Sequence, residues 1–292
     1  MRTLESYDPI TVTVFFAAAT GIVMFCREPY LLLLSLLGAL SYDLLRNGTR
    51  GMRTRLLAAL ISLVPLIADP LVSHNGVTVL FVLNDAPITL EAIVYGAITS
   101  VMLFSMLTWL RSFTELMTSD RLLYLFGRLS PKTALVLSMA LRYVPLFRVQ
   151  AKKTRQTQTA LGLYKDNSLI DRFVGELRVF SVMVTWSLEN GIITADSMSA
   201  RGYGVGRRSS YTIFRYRRSD LILTIVIAVL FALTVTSLHS GALDFTCYPS
   251  IEKADTVPLT VLGYAAYGLL VLLPVFIEVK EKLKWKYLQS KL

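Results

Sequence analysis

Apolar residues gather in six runs long enough to cross a bilayer as helices, at about 20 residues per crossing with a range of roughly 17–25. They cover residues 10–26, 29–45, 56–72, 88–110, 221–238 and 257–277. The first three are 17 residues each, and the third contains Pro65 and Asp69. Two further apolar stretches are shorter. Residues 77–83 sit between the turn formers His74-Asn75-Gly76 and Asn84-Asp85-Ala86-Pro87, and read as an external re-entrant or surface segment. Residues 133–147 are apolar apart from Arg142, but at 15 residues are short for a crossing, and read as cytoplasmic or interfacial.

Between the fourth and fifth runs the pattern changes. Thr118-Ser119-Asp120 is a helix start, with capping side chains followed by Leu122, Leu123, Leu125 and Phe126 on one face. Pro131 suits the first position of the next helix. That helix runs from Thr133 to Leu161, about 43 Å, with an expected kink at Pro145 and a stop at Gly162. A second long helix starts from Asn167 or Ser168 with Asp171 in its first turn, and runs to Arg201 over about 51 Å. Its apolar residues Ile170, Phe173, Leu177, Phe180, Val184, Leu188, Ile192 and Ala195 recur at three- and four-residue spacing. This predicts a stripe buried against the preceding helix.

Composition agrees with a membrane protein. Of the 292 residues 54% are hydrophobic and 17% charged, against about a quarter charged in an ordinary soluble domain. The net charge of +10 is segregated. Residues 46–55 hold Arg46, Arg50, Arg53 and Arg55 with no acid; residues 111–218 hold 18 basic and 7 acidic residues; the tail after Ile277 holds five Lys and two Glu. Residues 69–91 have three acids and no Lys or Arg, and residues 239–256 three acids against Lys253. Positive loops face the cytoplasm, so the alternation predicts a multi-pass protein of the cell membrane with both termini cytoplasmic. The expected fold is all-α: a membrane part of four spans over 1–110, a cytoplasmic module of long helices over 111–218, and two spans with a basic tail over 219–292. Neither repeats nor residue bias mark a second independent domain. The start of the chain lacks the basic cluster and small-residue cleavage site of a signal peptide. Cys26 and Cys247 are too few for a disulfide framework, and His74 and His239 each stand alone, which argues against a histidine metal site.

Both long helices finish in similar triplets, Ala160-Leu161-Gly162 and Ala200-Arg201-Gly202. Glycine after a helix can take the left-handed conformation that turns the chain. Alanine before it keeps the tip slim, so the neighbouring large side chain can enter a partner's groove. For Arg201 alone, the favourable helix dipole offers a purely local explanation; two tips of one form in one basic module weaken it.

At these residues the chain resembles the transmembrane T component of energy-coupling factor (ECF) transporters, over most of its length and best from about residue 76 to 211. Ile88-Thr89-Leu90-Glu91-Ala92 resembles the start of the span before the family's coupling module, and Thr118-Ser119-Asp120-Arg121-Leu122-Leu123 its following helix. Ala140-Leu141-Arg142-Tyr143-Val144-Pro145-Leu146 matches an Arg-aromatic-aliphatic-Pro signature. Ala195-Asp196-Ser197-Met198-Ser199-Ala200-Arg201-Gly202-Tyr203-Gly204 matches the second coupling motif, with Arg208-Ser209 trailing. The first motif, Thr157-Gln158-Thr159-Ala160-Leu161-Gly162, has Leu161 where the family has Arg. Leucine offers no donor for a charge-assisted bond, so this tip meets an apolar groove or Arg155 supplies the charge.

The resemblance implies a non-catalytic scaffold for uptake. It implies two cytoplasmic ABC-type ATPases bound through the coupling helices, and a small membrane-embedded S component that topples to deliver a vitamin or metal ion. The implied coupling residues are Ala160, Leu161, Gly162, Ala200, Arg201 and Gly202. Arg142 and Pro145 would shape the first helix or its junction with the membrane. The unlike tips imply two different ATPases. No cofactor is expected on this chain and ATP is hydrolysed by the partners, because no Gly-x-x-x-x-Gly-Lys-Ser/Thr loop is present. An ordinary ABC permease would use a shorter cytoplasmic loop. A membrane transferase would cluster its acids, whereas Asp166, Asp171, Glu176, Glu189 and Asp196 are scattered among bases. Nucleic-acid binding is not expected: the basic excess is absorbed by orientation and anionic headgroups. Small residues at Ala17-Ala18-Ala19, Gly21, Gly38-Ala39 and Gly96-Ala97 suit close helix packing.

Overall fold

Pro9 opens helix α1 (Pro9–Phe25), its missing N–H being one no helix can satisfy internally. The Asp8 carboxylate accepts the Ile10 amide at 2.9 Å. The structure, a computed structural model, describes residues 4–49, 51–73, 76–83, 86–163, 168–206, 214, 216–241, 243, 245 and 258–290. Among them the order continues with α2 (Pro29–Asn47), α3 (Met52–Val72), β1 (Val79–Leu83), β2 (Ala86–Thr89), α4 (Leu90–Leu116), α5 (Ser119–Leu129), α6 (Pro131–Ala160), α7 (Leu169–Ala200), α8 (Arg218–His239) and α9 (Pro258–Gln289). The chain is all-α apart from one hairpin. It divides into two units: Met1–Thr118 with Phe214–Leu292, and the inserted Ser119–Ile213.

The first unit is the bundle α1–α4, α8 and α9. Trp109 on α4 is fully buried at its centre. Its ring meets Phe15 and Phe16 of α1 edge-on at 5.7 and 5.8 Å and stacks on Tyr42 of α2 at 6.4 Å. The indole N–H donates to Ser35 Oγ at 3.1 Å, and Ser35 pairs with Ser105 at 2.7 Å. Two of the small residues noted above pack within the chain: a Cβ on Gly38 would overlap Val271 of α9, and one on Gly96 would sit 3.0 Å from the Pro65 carbonyl of α3. A Cβ on Gly21 would meet nothing within 4 Å.

One end of the bundle is closed by charges. The Asp43 carboxylate, fully buried, is paired with Arg55, whose guanidinium also donates to the Gly48 carbonyl at 2.8 Å. Arg111 of α4 donates to the Gly51 carbonyl at 3.2 Å and to Glu115 at 3.0 Å, and lies 3.8 Å from Asp43. Asn47 donates to Asp43 at 2.9 Å and Glu115 at 2.7 Å; Arg46 pairs with Glu5 at 2.5 Å. Two arginines counted as free loop charge are therefore engaged with acids. At the other end of α2, Glu28 is buried and accepts from Tyr264 at 2.7 Å; burial pushes its carboxyl above the usual range, against that hydrogen bond.

The helices depart from the sequence reading at several points. Residues 88 and 89 are strand rather than helix: the Thr89 hydroxyl accepts the Ala92 amide and starts α4 there. Residues 79–83 form a strand paired antiparallel with β2. As expected, α6 is one helix with Pro145 inside it. Six described helices have the length and apolarity to cross a membrane, and α6 is among them, whereas α1, apolar but only 17 residues long, falls short. Continuation of the helix beyond residues 133–147 gives α6 that length. The largest correction concerns α7. Ser168 caps it, accepting the Asp171 amide at 3.2 Å, but the predicted stripe is not buried. Ile170, Phe173, Leu177, Phe180, Leu188 and Ile192 are all more than half exposed. The face turned to α6 carries Gly175, Glu176, Val179, Trp186, Asn190 and Thr194 instead.

Asp43→Ala leaves the Arg55 guanidinium buried without its carboxylate, a loss of about 3–5 kcal/mol. Unfolding of the purified protein in mixed detergent micelles measures it, with the exposed Arg53→Ala as a control that changes stability by less than about 0.5 kcal/mol.

Candidate coupling tips

The second unit is α5, α6 and α7. A Cβ on Gly127 of α5 would lie 3.6 Å from Ala134 of α6. Ser130 caps α6, with Pro131 at its first position. α6 and α7 run antiparallel, because contacts advance along one as they retreat along the other. The Tyr143 hydroxyl meets Thr194 Oγ1 at 2.8 Å and donates to the Asn190 carbonyl at 3.5 Å. Phe147 meets Trp186 edge-on at 5.7 Å. Arg155 pairs with Glu176 at 2.6 Å, and Arg178 reaches back to the Leu163 carbonyl at 3.3 Å. The seam is thus polar and aromatic at spacings of about four residues.

Antiparallel packing puts the helix C-termini at opposite ends of the pair. Leu163, just past the first tip, is held by Arg178, and α7 rises roughly 33 Å from there to Ala200. The two tips close in the same way. At the first, the Gly162 amide donates to the Thr159 carbonyl at 3.0 Å and the Leu163 amide to Gln158 at 3.1 Å. At the second, Gly202 donates to Ser199 at 3.0 Å and Tyr203 to Met198 at 3.0 Å. Each is a Schellman closure, in which two amides beyond the helix satisfy carbonyls of its last turn. It requires a left-handed residue, and Gly162 (φ 67°) and Gly202 (φ 75°) supply it. A Cβ at either glycine would meet no other atom within 4 Å, so the demand for glycine is conformational and the space around each tip is open.

What the tips present differs. Ala160, Gly162, Ala200, Gly202 and Arg201 are exposed, and Leu161 is 70% exposed. The first tip offers an apolar knob. The second offers five guanidinium donors next to the negative end of a helix dipole, followed by exposed Tyr203 and Val205. Arg155 is engaged by Glu176 rather than turned to the first tip, which leaves Leu161 as that tip's projecting group. Arg142 and Pro145 are exposed on α6, while their neighbours Tyr143 and Phe147 make the seam. The seam residues escaped the sequence reading; four-residue spacing of Trp186, Asn190 and Thr194 is the pattern that carries them. Arg208, Ser209, His74 and Cys247 lie outside the described residues, Cys26 is buried, and His239 is exposed at the end of α8.

No protein-family model matches the chain. It is 33% identical over 91 residues to the energy-coupling factor transporter transmembrane protein EcfT of Lactobacillus helveticus (strain DPC 4571). The similarity covers 30% of this chain and spans about a third (33%) of that protein's length.

Gly202→Ala forces a side chain into the left-handed region at a cost of about 1–2 kcal/mol. The added Cβ meets no other atom within 4 Å, so the expected outcome is a local one. Hydrogen exchange of the Gly202 and Tyr203 amides accelerates roughly 5- to 30-fold, with the Trp109 region unchanged.

Proposed function

We propose that this chain is the T component of an ECF-type transporter, a scaffold that transmits movement of two cytoplasmic ABC-type ATPases to a small substrate-binding S component. The observation that carries the reading is the pair of identically closed, exposed tips at opposite ends of one antiparallel helix pair. That arrangement offers each ATPase its own attachment point. The similarity to EcfT supports the same assignment.

The chain's own residues do mechanical work. Arg201, backed by Ala200 and Gly202, enters a groove of one ATPase and forms charge-assisted bonds there. Leu161, between Ala160 and Gly162, fills an apolar groove on the other, so the two ATPases are different proteins. Seam contacts through Tyr143, Phe147, Trp186 and Thr194 keep α6 and α7 together when the tips are pushed. The uncovered stripe of α7, with the open groove of about 540 Å³ beside Phe147, Phe180 and Leu188, receives the S component. ATP is bound and hydrolysed by the partners, and this chain carries no cofactor of its own. It lies in the cell membrane with both termini cytoplasmic, and the cargo, a vitamin or metal ion, is chosen by the S component.

The test is co-purification from native membranes in mild detergent, with mass spectrometry of bound chains, for wild type, Arg201→Glu and Leu161→Glu. Wild type should bring two ABC-type ATPases and a small membrane protein. Arg201→Glu should deplete one ATPase and Leu161→Glu the other. A chain that purifies alone refutes the assignment. Parallel loss of a single ATPase species from both variants refutes the assignment of two different ATPases.

A further inference from the structure

We infer that the β1–β2 hairpin lies along the headgroup layer of the bilayer, with lipid as its partner. The root of the hairpin is fixed. Glu91, buried in the first turn of α4, accepts from the Thr78 hydroxyl at 2.8 Å and the Thr78 amide at 3.2 Å. The Leu90 amide donates to the Thr78 carbonyl at 3.0 Å. Gly76, at φ 145°, passes so close that a Cβ there would lie 2.6 Å from Glu91 Oε2. The hairpin therefore stays where α3 ends and α4 begins, which is a membrane boundary if those two helices span.

Ile88 of β2 is buried, while the described side chains of β1 and of Val77 before it are open. Val77, Val79, Leu80 and Val82 are 72%, 52%, 54% and 61% exposed, and the bulge between Val79 and Phe81 brings Val79 and Val82 to one face. The only charge in the sequence between Gly76 and Leu90 is Asp85. This exposure continues the lipid-facing side of α3, where Leu71 and Val72 are 52% and 80% exposed. Four exposed apolar side chains on so short a segment disfavour bulk water. The outer edges of a two-stranded sheet leave backbone groups unpaired, and that excludes the hydrocarbon core. Only the headgroup layer, with water and ester acceptors beside the first methylenes, satisfies both. Five residues of strand reach about 17 Å, whereas that layer is only about 5–7 Å deep on each side, so the hairpin lies along the surface rather than across it.

The test places a nitroxide label at Val77→Cys, Val79→Cys and Val82→Cys, one at a time, in full-length protein with Cys26→Ser and Cys247→Ser, in vesicles of phosphatidylcholine and phosphatidylglycerol. These positions are exposed, and Val77 lies outside the strand, so its label leaves the ladder intact. Collision with oxygen and with a water-soluble nickel complex reports depth, calibrated by Leu60→Cys on the lipid side of α3 and Lys286→Cys at the end of α9. The expected result is an oxygen preference severalfold above that at Lys286 but below that at Leu60. Labels as open to nickel as at Lys286 overturn the inference, as does a depth equal to Leu60. Water exposure that disappears only when partner chains are restored overturns it too, and makes the hairpin a protein-docking strand. The experiment needs only the membrane spans, so its failure leaves the coupling proposal standing.

Discussion

The buried Asp43 carboxylate sets the terms for one whole end of the membrane bundle. The turn from α2 to α3 is only four residues long, and Gly51 at its end is buried. Arg55 and Arg111 satisfy Gly48 and Gly51 from the side. Guanidinium groups so placed require anions, and Asp43 and Glu115 provide them. The network is a solution to orphaned helix-end carbonyls as much as a salt bridge. Its members sit on α2, α3 and the last turns of α4, so the helix that leads into the inserted unit is fixed against two others just before the chain departs.

The helix pair of the inserted unit obeys a different rule. Its seam uses a tyrosine hydroxyl, a threonine, a glycine and edge-on aromatic rings, while Leu177, Leu188, Ile170, Ile192, Phe173 and Phe180 of α7 stay outside. Periodicity shows that α7 has an apolar stripe but carries no information on what covers it. The nearest neighbour in sequence was the natural expectation, and the structure gives that place to the other face. A chain whose apolar stripe is left open after folding has an incomplete surface, which accords with the proposed role as one subunit among several.

Legibility followed the physics of each feature. Helix ends written in local sequence were readable: Pro131 at the start of α6, Ser168 with Asp171, and the glycines after both long helices. The start of α4 was not, because residues 88 and 89 pair with a strand brought back by a turn, a non-local event. The charge count over residues 46–55 found no acid because Asp43 and Glu115, which neutralise part of it, lie on helices outside that stretch. The tips were found through one-residue chemistry, a glycine that must be left-handed, whereas the seam went unseen because its residues are ordinary helix formers whose meaning depends on the partner helix.

Identical backbone closure at the two tips makes their one side-chain difference interpretable. With the same hydrogen bonds and the same left-handed glycine, Leu161 and Arg201 leave their helices in equivalent positions, so any difference in what they bind comes from the side chain. An arginine contact is electrostatic and weakens with salt, while a leucine contact depends on buried area and does not. Under the proposed function the two ends of the pair are then held by forces of different kinds. Salt would loosen the Arg201 end before the Leu161 end, and a single lever would be released from one ATPase while still attached to the other.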